Sequence, residues 1–171
     1  GMWGLRIGVG WLAWELTRSA FWVGLVAFAD LFPTILVTPI AGAVADRRSR
    51  LAIVRVTQVI SIALVSLLAI VASSGGLTIE LLALVVLLNG LTMGFKQPSR
   101  MALTRALVRR EDLPTAIAVN AIVFNLARFL GPSLAGVLIV TLGVEAVFLF
   151  DVLSSLFFLA VIRGIHLEPP K

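Results

Sequence analysis

Residues 42–50 read Gly42-Ala43-Val44-Ala45-Asp46-Arg47-Arg48-Ser49-Arg50, a dense cluster of charge that separates two long apolar segments. The segment before the cluster, Ser19 to Ala45, contains one charged residue, Asp30, and the segment after it, Leu51 to Ser73, also contains one, Arg55. About 20 apolar residues, at 1.5 Å of helix each, cross the ~30 Å hydrocarbon layer of a bilayer. Both segments are therefore predicted to be transmembrane helices, and the charged stretch between them is predicted to be a short turn.

The overall composition agrees with a membrane protein. Of the 171 residues, 60% are hydrophobic and 13% are charged, whereas soluble domains are about 25% charged. Lys and Arg outnumber Asp and Glu by 14 to 9, but they cluster beside the apolar segments, which is typical of topology signals and not of a nucleic-acid interface. The chain has no cysteine and no grouping of acids, bases and nucleophiles typical of an enzyme. The sequence therefore predicts no cofactor and no metal.

Six helices are predicted in one transmembrane bundle, residues 1–163, followed by the start of a cytoplasmic linker at residues 164–171. The first helix has only about 13 largely apolar residues, which is too few to cross a bilayer, so we expect a transmembrane helix that lacks its beginning. Asp112 ahead of Leu113-Pro114 predicts a helix start with proline in the first turn. The predicted helices cover about residues 1–16, 19–45, 51–73, 77–108, 114–142 and 145–162.

Arginine is concentrated in alternate loops. The turn at residues 46–50 and the loop at residues 105–112 contain three arginines each, and the tail after the last span contains Arg163 and Lys171. By the positive-inside rule, these two loops and the C-terminus are predicted to be cytoplasmic. The expected location is the inner (plasma) membrane of the cell, crossed several times.

Four polar residues at membrane depth are candidates for function, because such residues are costly in lipid. Asp30, about 11 residues into the second span, shares a helix face with Thr34 and is either a proton- or substrate-coupling carboxylate or a structural one. Lys96 continues a polar stripe that includes Asn89, and it either lines a watery path or extends to the cytoplasmic interface. Arg128, midway along the fifth span, either holds an anion or a carboxylate, or forms a buried structural pair.

Other polar and aromatic residues of the spans are interpreted as structural. Asp151, in the sixth span, is followed within one turn by Ser154 and Ser155, and we interpret it as a structural carboxylate. The tryptophans surround the outer end of the first hairpin and are interpreted as interfacial anchors. They are Trp3, Trp11, Trp14 and Trp22.

Two motifs resemble those of a known family. Gly42-x-x-x-Asp46-Arg47-x-Ser49-Arg50 resembles the signature loop of the major facilitator superfamily of secondary transporters, with Ser49 in place of a glycine. Arg128-x-x-Gly131-Pro132-x-x-Ala135-Gly136 is similar to the Gly-Pro motif of drug/proton antiporters, with Ala135 in place of a glycine. Together, the segments 11–45, 97–100 and 120–136 are similar to the branch that contains the enterobactin exporter and macrolide efflux pumps.

The resemblance implies the fold. It implies an all-α integral membrane protein that forms one six-helix half of a major facilitator fold, a three-plus-three inverted repeat, here with a truncated first helix and without the second half. In such a half, helices one and four line a central cavity and helices two and five flank the other half. Asp30 and Arg128 are then not expected to pair, because helices one and four intervene.

The resemblance also implies roles for particular residues. Asn89 and Lys96 would face the solute. Asp46 would cap the contact with a helix of the absent half, while Arg47 and Arg50 would form a cytoplasmic charge lock. In the fifth helix the Gly-Pro motif consists of Gly131, Pro132 and Gly136.

The expected function is efflux of a drug-like or siderophore-like organic solute by alternating access, in exchange for protons. Two basic residues, Lys96 and Arg128, and one acidic residue, Asp30, are the charged candidates at membrane depth. Because positive charge is in excess there, an anionic or zwitterionic solute is expected. The expected partners are this small solute, protons, the lipid bilayer, and either the missing carboxy-terminal half or a second copy, with no nucleic acid. The alternative is a non-transporting membrane scaffold, or a split half that only assembles with a partner half.

Overall fold

The structure, a computed structural model, describes residues 2–47 and 49–164, and their side chains except those of residues 45–47. Over these residues the chain forms six α-helices and no strand: α1 Met2–Thr17, α2 Ala20–Arg47, α3 Arg50–Ser73, α4 Ile79–Leu107, α5 Leu113–Leu142 and α6 Val144–Arg163. The predicted fold class, an all-α membrane bundle, is confirmed. Helices α2 to α6 are each long and apolar enough to cross a bilayer, whereas α1 has 16 residues. The predicted linker lies outside the described residues from position 165 on.

Short polar residues set the helix boundaries. Ser49 is the N-cap of α3, and its hydroxyl accepts a hydrogen bond from the Ala52 backbone N–H at 3.4 Å. This explains why a serine is suitable where the family motif has glycine, since its backbone has a negative φ and its side chain satisfies a free N–H group at the start of the helix. Helix α5 begins at Leu113 with proline in its first turn, as predicted. Gly75, in the turn before α4, has a φ of +71°, which favours glycine.

Most helix contacts follow the symmetry of a three-plus-three repeat. Exchanging α1 with α4, α2 with α5 and α3 with α6 converts the α2–α4 contact into the α5–α1 contact, and the α3–α4 contact into the α6–α1 contact. All of these contacts are present, and α3 also packs against α6, its own symmetry mate. The α1–α2 contact has no comparable α4–α5 counterpart, so the two halves of the bundle repeat this packing arrangement only in part.

Glycines allow the closest helix crossings. A Cβ atom added at Gly90 of α4 would lie 2.6 Å from the carbonyl oxygen of Asp30 in α2. One turn later in α4, Gly94 packs against Val37 of α2. The equivalent crossing of α1 and α5 uses Gly131, where an added Cβ would lie 2.7 Å from the Cβ of Trp3. Small residues with this four-residue spacing let helix backbones approach closely in membranes.

Helices α2 and α5 leave most of their apolar surface uncovered. Among the residues of α5, only Ala135 is buried. Large side chains such as Ile35 of α2 and Phe129 of α5 are 70% and 75% exposed, respectively. In a membrane protein such surface faces lipid or further helices, and soluble monomers rarely expose so much of it.

Candidate functional site

Two adjoining cavities lie between the helices, near their midpoints. The larger, of about 280 Å³, is enclosed by α1, α2, α3 and α4 and is mostly apolar. The smaller, of about 180 Å³, lies between α1, α3, α4 and α6 and has several polar side chains in its wall. The two cavities share four wall residues, Met2, Leu5, Asn89 and Met93. They are therefore neighbouring compartments within one six-helix bundle.

Asp30 lines the larger cavity and forms an ion pair that the sequence did not predict. Its Oδ2 accepts a hydrogen bond from Nε of Arg6 at 2.8 Å. The carboxylate side chain is 18% exposed and the arginine side chain 38% exposed. Arg6 lies in the short helix α1 and was not among the predicted site residues. The pair places opposite charges next to each other in a largely apolar cavity.

The crossing of α2 and α4 fixes the position of Asp30. Pro33 has no N–H group, so the carbonyl group of Ala29 lacks its usual helical hydrogen bond, and this oxygen would lie 3.0 Å from a Cβ atom at Gly90. The hydroxyl of Thr34 donates to the carbonyl oxygen of Gly90 at 2.9 Å. The predicted shared face of Asp30 and Thr34 is thus the face of α2 that packs on α4.

Asn89 lies in the wall that separates the two cavities. It is 7% exposed, and among the described residues its Oδ1 has no hydrogen-bond partner. A buried amide oxygen without a partner costs free energy unless water or a ligand supplies a donor. Asn89 is therefore suited to binding a hydrogen-bond donor that enters either cavity.

Lys96 lies in the wall of the smaller cavity. Its Nζ donates hydrogen bonds to Oγ of Ser61 at 3.2 Å and to Oε1 of Gln58 at 3.4 Å. These two partners lie on α3 and were not among the predicted site residues. Their signal in the sequence is a pair of polar residues three positions apart, on one helix face of an otherwise apolar span. Lys96 thus points into the protein and does not extend to the cytoplasmic interface.

Asp151 lies in the wall of the same cavity. It is 7% exposed, and its carboxylate accepts no hydrogen bond from the residues that the structure describes. The interpretation of Asp151 as a structural carboxylate stays a prediction, and the structure places it in the same cavity wall as Lys96 of α4. A carboxylate and an amine line one small cavity without forming an ion pair within 4 Å.

Arg128 lies outside the walls of both cavities and on the α1–α5 contact. Its guanidinium carbon is 5.4 Å from the centre of the Trp3 ring, and that of Arg6 is 5.1 Å from the same ring. Trp3 also makes an edge contact with Phe124 at 5.6 Å. Asp30 and Arg128 do not pair, as expected, because Arg6 and Trp3 of α1 intervene. Trp3 is therefore a packing residue between two arginines, which the interpretation as an interfacial anchor did not predict.

The Gly-Pro motif of α5 divides between two faces. Gly131 contacts α1 directly, whereas an added Cβ at Gly136 would meet no atom within 4 Å. Pro132 lies inside the helix and removes the hydrogen bond to the carbonyl group of Arg128. The motif therefore joins a close helix contact on one side to an open face on the other.

The predicted conformational-switch loop is only partly described. Gly42 lies in α2, and a Cβ added there would meet no atom within 4 Å. Arg50 is the first residue of α3. The side chains of Asp46 and Arg47 lie outside the described residues. Within the described part of the chain, no group of His, Cys, Asp and Glu side chains has the arrangement of a metal site.

Comparison with known proteins identifies related sequences. The family model of the transmembrane secretion effectors matches residues 1–170. The staphyloferrin A transporter of Staphylococcus aureus is 26% identical over 169 residues, which cover 98% of this chain and 42% of that protein. The multidrug efflux pump Tap of Mycolicibacterium fortuitum is 29% identical over 139 residues, which cover 78% of this chain and 34% of the pump. The chain therefore spans less than half the length of these relatives.

Proposed function

Since this chain belongs to the transmembrane secretion effector family of the major facilitator superfamily, we propose that it is one half of a secondary transporter that exports an organic solute in exchange for protons by alternating access. Membership in a transporter family agrees with the expectation that the chain is not an enzyme. The observation that carries the proposal is the pair of adjoining cavities with charged groups in their walls. Buried charge at membrane depth is costly and marks routes for solutes or ions.

The larger cavity is proposed to hold the solute. Most of its wall is apolar, with the Arg6–Asp30 pair and Asn89 as polar groups, a combination typical of small-molecule sites. Its volume of about 280 Å³ is below the range of roughly 300–1,000 Å³ of most ligand pockets. The exposed faces of α2 and α5 are proposed to contact the complementary half, which would complete the cavity.

A zwitterionic, amphipathic solute fits these charges best. Arg6 and Asp30 line the larger cavity, and Lys96, Arg100 and Asp151 line the smaller one. The walls therefore contain three positive and two negative groups. The excess of positive charge favours a solute with an anionic group, and the two carboxylates can attract a cationic group of the same solute. The names of the two relatives, a staphyloferrin A transporter and a multidrug efflux pump, are compatible with export of an organic solute.

The remaining predicted residues have proposed roles at the edges of the site. Arg128 is proposed to hold a carboxylate of the solute or of the complementary half. The turn with Gly42, Asp46, Arg47 and Arg50 is proposed to be the conformational switch on the cytoplasmic side of the inner membrane, where the positive-inside rule places it.

Flux measurements test the proposal. We would reconstitute the chain in proteoliposomes with and without the complementary six-helix half and impose an acidic interior. With both halves, uptake of a labelled zwitterionic solute is expected to exceed uptake of analogues that carry only its anionic or only its cationic group. This uptake is expected to vanish when a protonophore collapses the pH gradient. Assembly of the halves without any flux would overturn the proposal and establish the scaffold alternative.

A second comparison tests the charge preference. Lys96→Ala and Arg128→Ala are expected to weaken binding of the anion-bearing solutes. Binding that is unchanged in both variants would contradict this preference.

A further inference from the structure

Gln58 of α3 joins three helices at the smaller cavity. Its Nε2 donates a hydrogen bond to the carbonyl oxygen of Ser155 in α6 at 3.2 Å, and its Oε1 accepts one from Nζ of Lys96 in α4 at 3.4 Å. These two partners determine which way the amide points, because a carbonyl oxygen only accepts and an ammonium group only donates. The side chain is 3% exposed. The α6 backbone therefore fixes how Gln58 presents its oxygen to Lys96.

A second buried acceptor lies one turn further along α3. Ser61 is 5% exposed, and its Oγ accepts a hydrogen bond from Nζ of Lys96 at 3.2 Å. Residues three positions apart share a helix face, so Gln58 and Ser61 hold the ammonium group from the same side. Without such acceptors, the flexible side chain of a membrane lysine extends toward water at the interface. The two α3 residues therefore keep the charge of Lys96 in the cavity wall.

The ammonium charge of Lys96 is not cancelled by these two partners. Gln58 and Ser61 are neutral, and they use two of the three N–H groups of the ammonium. One N–H group is left for a further acceptor. In the larger cavity, by contrast, the guanidinium of Arg6 donates directly to the carboxylate of Asp30 at 2.8 Å. The positive charge of Lys96 is therefore more available to an anion than that of Arg6.

The rest of the wall that the structure describes does not reverse this charge. Its other charged residues are Arg100 of α4 and Asp151 of α6, and their charges are opposite in sign. A cavity of about 180 Å³ holds several water molecules, so a small anion such as a carboxylate can replace them beside Lys96. The described wall therefore offers a positive group and room for an anion next to it.

We propose that Gln58 is the positioning residue that makes Lys96 the anion-binding group of the smaller cavity, and that its neutral amide sets the charge preference of this site. The ligand is a small organic carboxylate, or the carboxylate end of a solute whose apolar body lies in the adjoining larger cavity. A neutral acceptor orients the ammonium and leaves its charge in place, whereas a carboxylate at position 58 would pair with it. That this anion belongs to a transported solute rests on the proposed function, but the anion site itself does not.

The acylation rate of Lys96 in the purified chain tests the positioning. The chain has two lysines, Lys96 and Lys171, so Lys171→Arg provides a parent chain with one, and peptide mass spectrometry separates its product from that of the terminal amine. With a water-soluble sulfosuccinimidyl ester, Gln58→Met is expected to raise the rate about tenfold, which corresponds to one charge-assisted hydrogen bond. Gln58→Glu is expected to keep the rate low, because its carboxylate also accepts from Lys96. An unchanged rate in a helical, folded Gln58→Met variant would overturn the proposal.

The matched control is Thr57→Val. Thr57 adjoins Gln58 and is also buried, but its hydroxyl donates within α3, to the carbonyl oxygens of Ile53 at 2.7 Å and Val54 at 3.2 Å. Thr57→Val therefore removes a buried polar group from the same helix but no partner of Lys96, and its acylation rate is expected to equal that of the parent chain. A rise as large as that in Gln58→Met would mean that loosening of α3 exposes Lys96, and it would overturn the role of Gln58.

Protection by model ions tests the charge preference. Benzoate is expected to slow the acylation of Lys96 in a saturable manner, whereas benzyltrimethylammonium, a cation with the same aromatic body, is expected to have no effect. The benzoate concentration for half protection is expected to rise about tenfold in Gln58→Met. Gln58→Glu is expected to lose the protection, because its own carboxylate takes the place of the anion.

Equal protection by both ions, no protection by benzoate, or full protection in Gln58→Glu would each overturn the anion site. The Gln58→Glu comparison decides this even if Gln58→Met does not fold. Neither measurement involves transport, so an absence of flux in the paired halves would refute the proposed function and leave the result on Gln58 and Lys96 unaffected.

Discussion

Replacing Gly90 with alanine is expected to separate α2 from α4. The added Cβ atom would lie 2.6 Å from the carbonyl oxygen of Asp30, whereas ordinary contact begins at 3.4 Å. The helices would therefore have to move apart by roughly 0.8 Å, because the obstacle is backbone and cannot rotate away. Overpacking of this kind costs about 1–3 kcal/mol. The same movement lengthens the 2.9 Å hydrogen bond from Thr34 to the Gly90 carbonyl oxygen, which adds about 0.6 kcal/mol for a typical bond between membrane helices.

The matched control for this variant is Gly24→Ala. Gly24 lies in α2, and an added Cβ would meet no atom within 4 Å. The two variants make the same chemical change within a helix, so the gain in helix propensity of up to about 1 kcal/mol is common to both. The difference in unfolding free energy between them therefore isolates the crossing and is expected to be about 2–3 kcal/mol.

Equilibrium unfolding in mixed detergent micelles measures this difference. The purified chain would be titrated with increasing mole fractions of sodium dodecyl sulfate, and unfolding followed by tryptophan fluorescence and circular dichroism. A double-mutant cycle with Thr34→Val is expected to show coupling to Gly90→Ala, because both changes act on one contact. If Gly90→Ala and Gly24→Ala unfold within about 0.5 kcal/mol of each other and the cycle is additive, the two helices do not meet at Gly90.

Three further predictions follow from the same contacts and from the charge pattern. Gly131→Ala is expected to destabilise the chain by about 1–3 kcal/mol in the same assay, because its Cβ would lie 2.7 Å from that of Trp3. The control Gly136→Ala should be neutral, because a Cβ added there meets no atom within 4 Å. Equal effects of the two variants would contradict the α1–α5 crossing. Arg6→Gln is expected to lower the unfolding free energy by about 1–3 kcal/mol, which is less than for a fully buried ion pair because the arginine is 38% exposed. The double variant Arg6→Gln with Asp30→Asn should lose less unfolding free energy than the sum of the two single variants. Strict additivity would refute the ion pair. The chain has no cysteine, so Arg109→Cys introduces a single labelling site. This cysteine is expected to react with a membrane-impermeant maleimide only after the cells are opened. Labelling in intact cells would contradict the predicted cytoplasmic position of this loop.

The sequence predicted the helices and their turns because each depends on local composition. Thickness of the hydrocarbon layer sets the length of an apolar span, and charge is excluded from it. The turn before α3 and the proline start of α5 therefore follow from a few consecutive residues. In the structure α2 ends at Arg47 and α3 begins at Arg50, both within the cluster at residues 42–50, and Leu113 begins α5.

The candidate site was only partly predictable. Asp30, Asn89 and Lys96 were identified as polar residues at membrane depth, and all three line the cavities. Their partners Arg6 and Gln58 were not predicted, because these hydrogen bonds join residues of different helices that are far apart in the chain. Asp151 was interpreted as structural because its sequence neighbours are serines, and nothing in the sequence indicated that it shares a cavity with Lys96.

What the sequence determined by itself is the number of apolar helices and the alternation of charge between loops. Only the tertiary structure decided which face of each helix points inward, and hence that Arg6 pairs with Asp30, that Trp3 lies between two arginines and that Asp151 adjoins Lys96. The physical reason is that lipid and protein interior are equally apolar, so the hydrophobic pattern of a membrane helix does not mark its inner face. Helix rotation is set by close contacts such as those at Gly90 and Gly131, which join residues far apart in the chain.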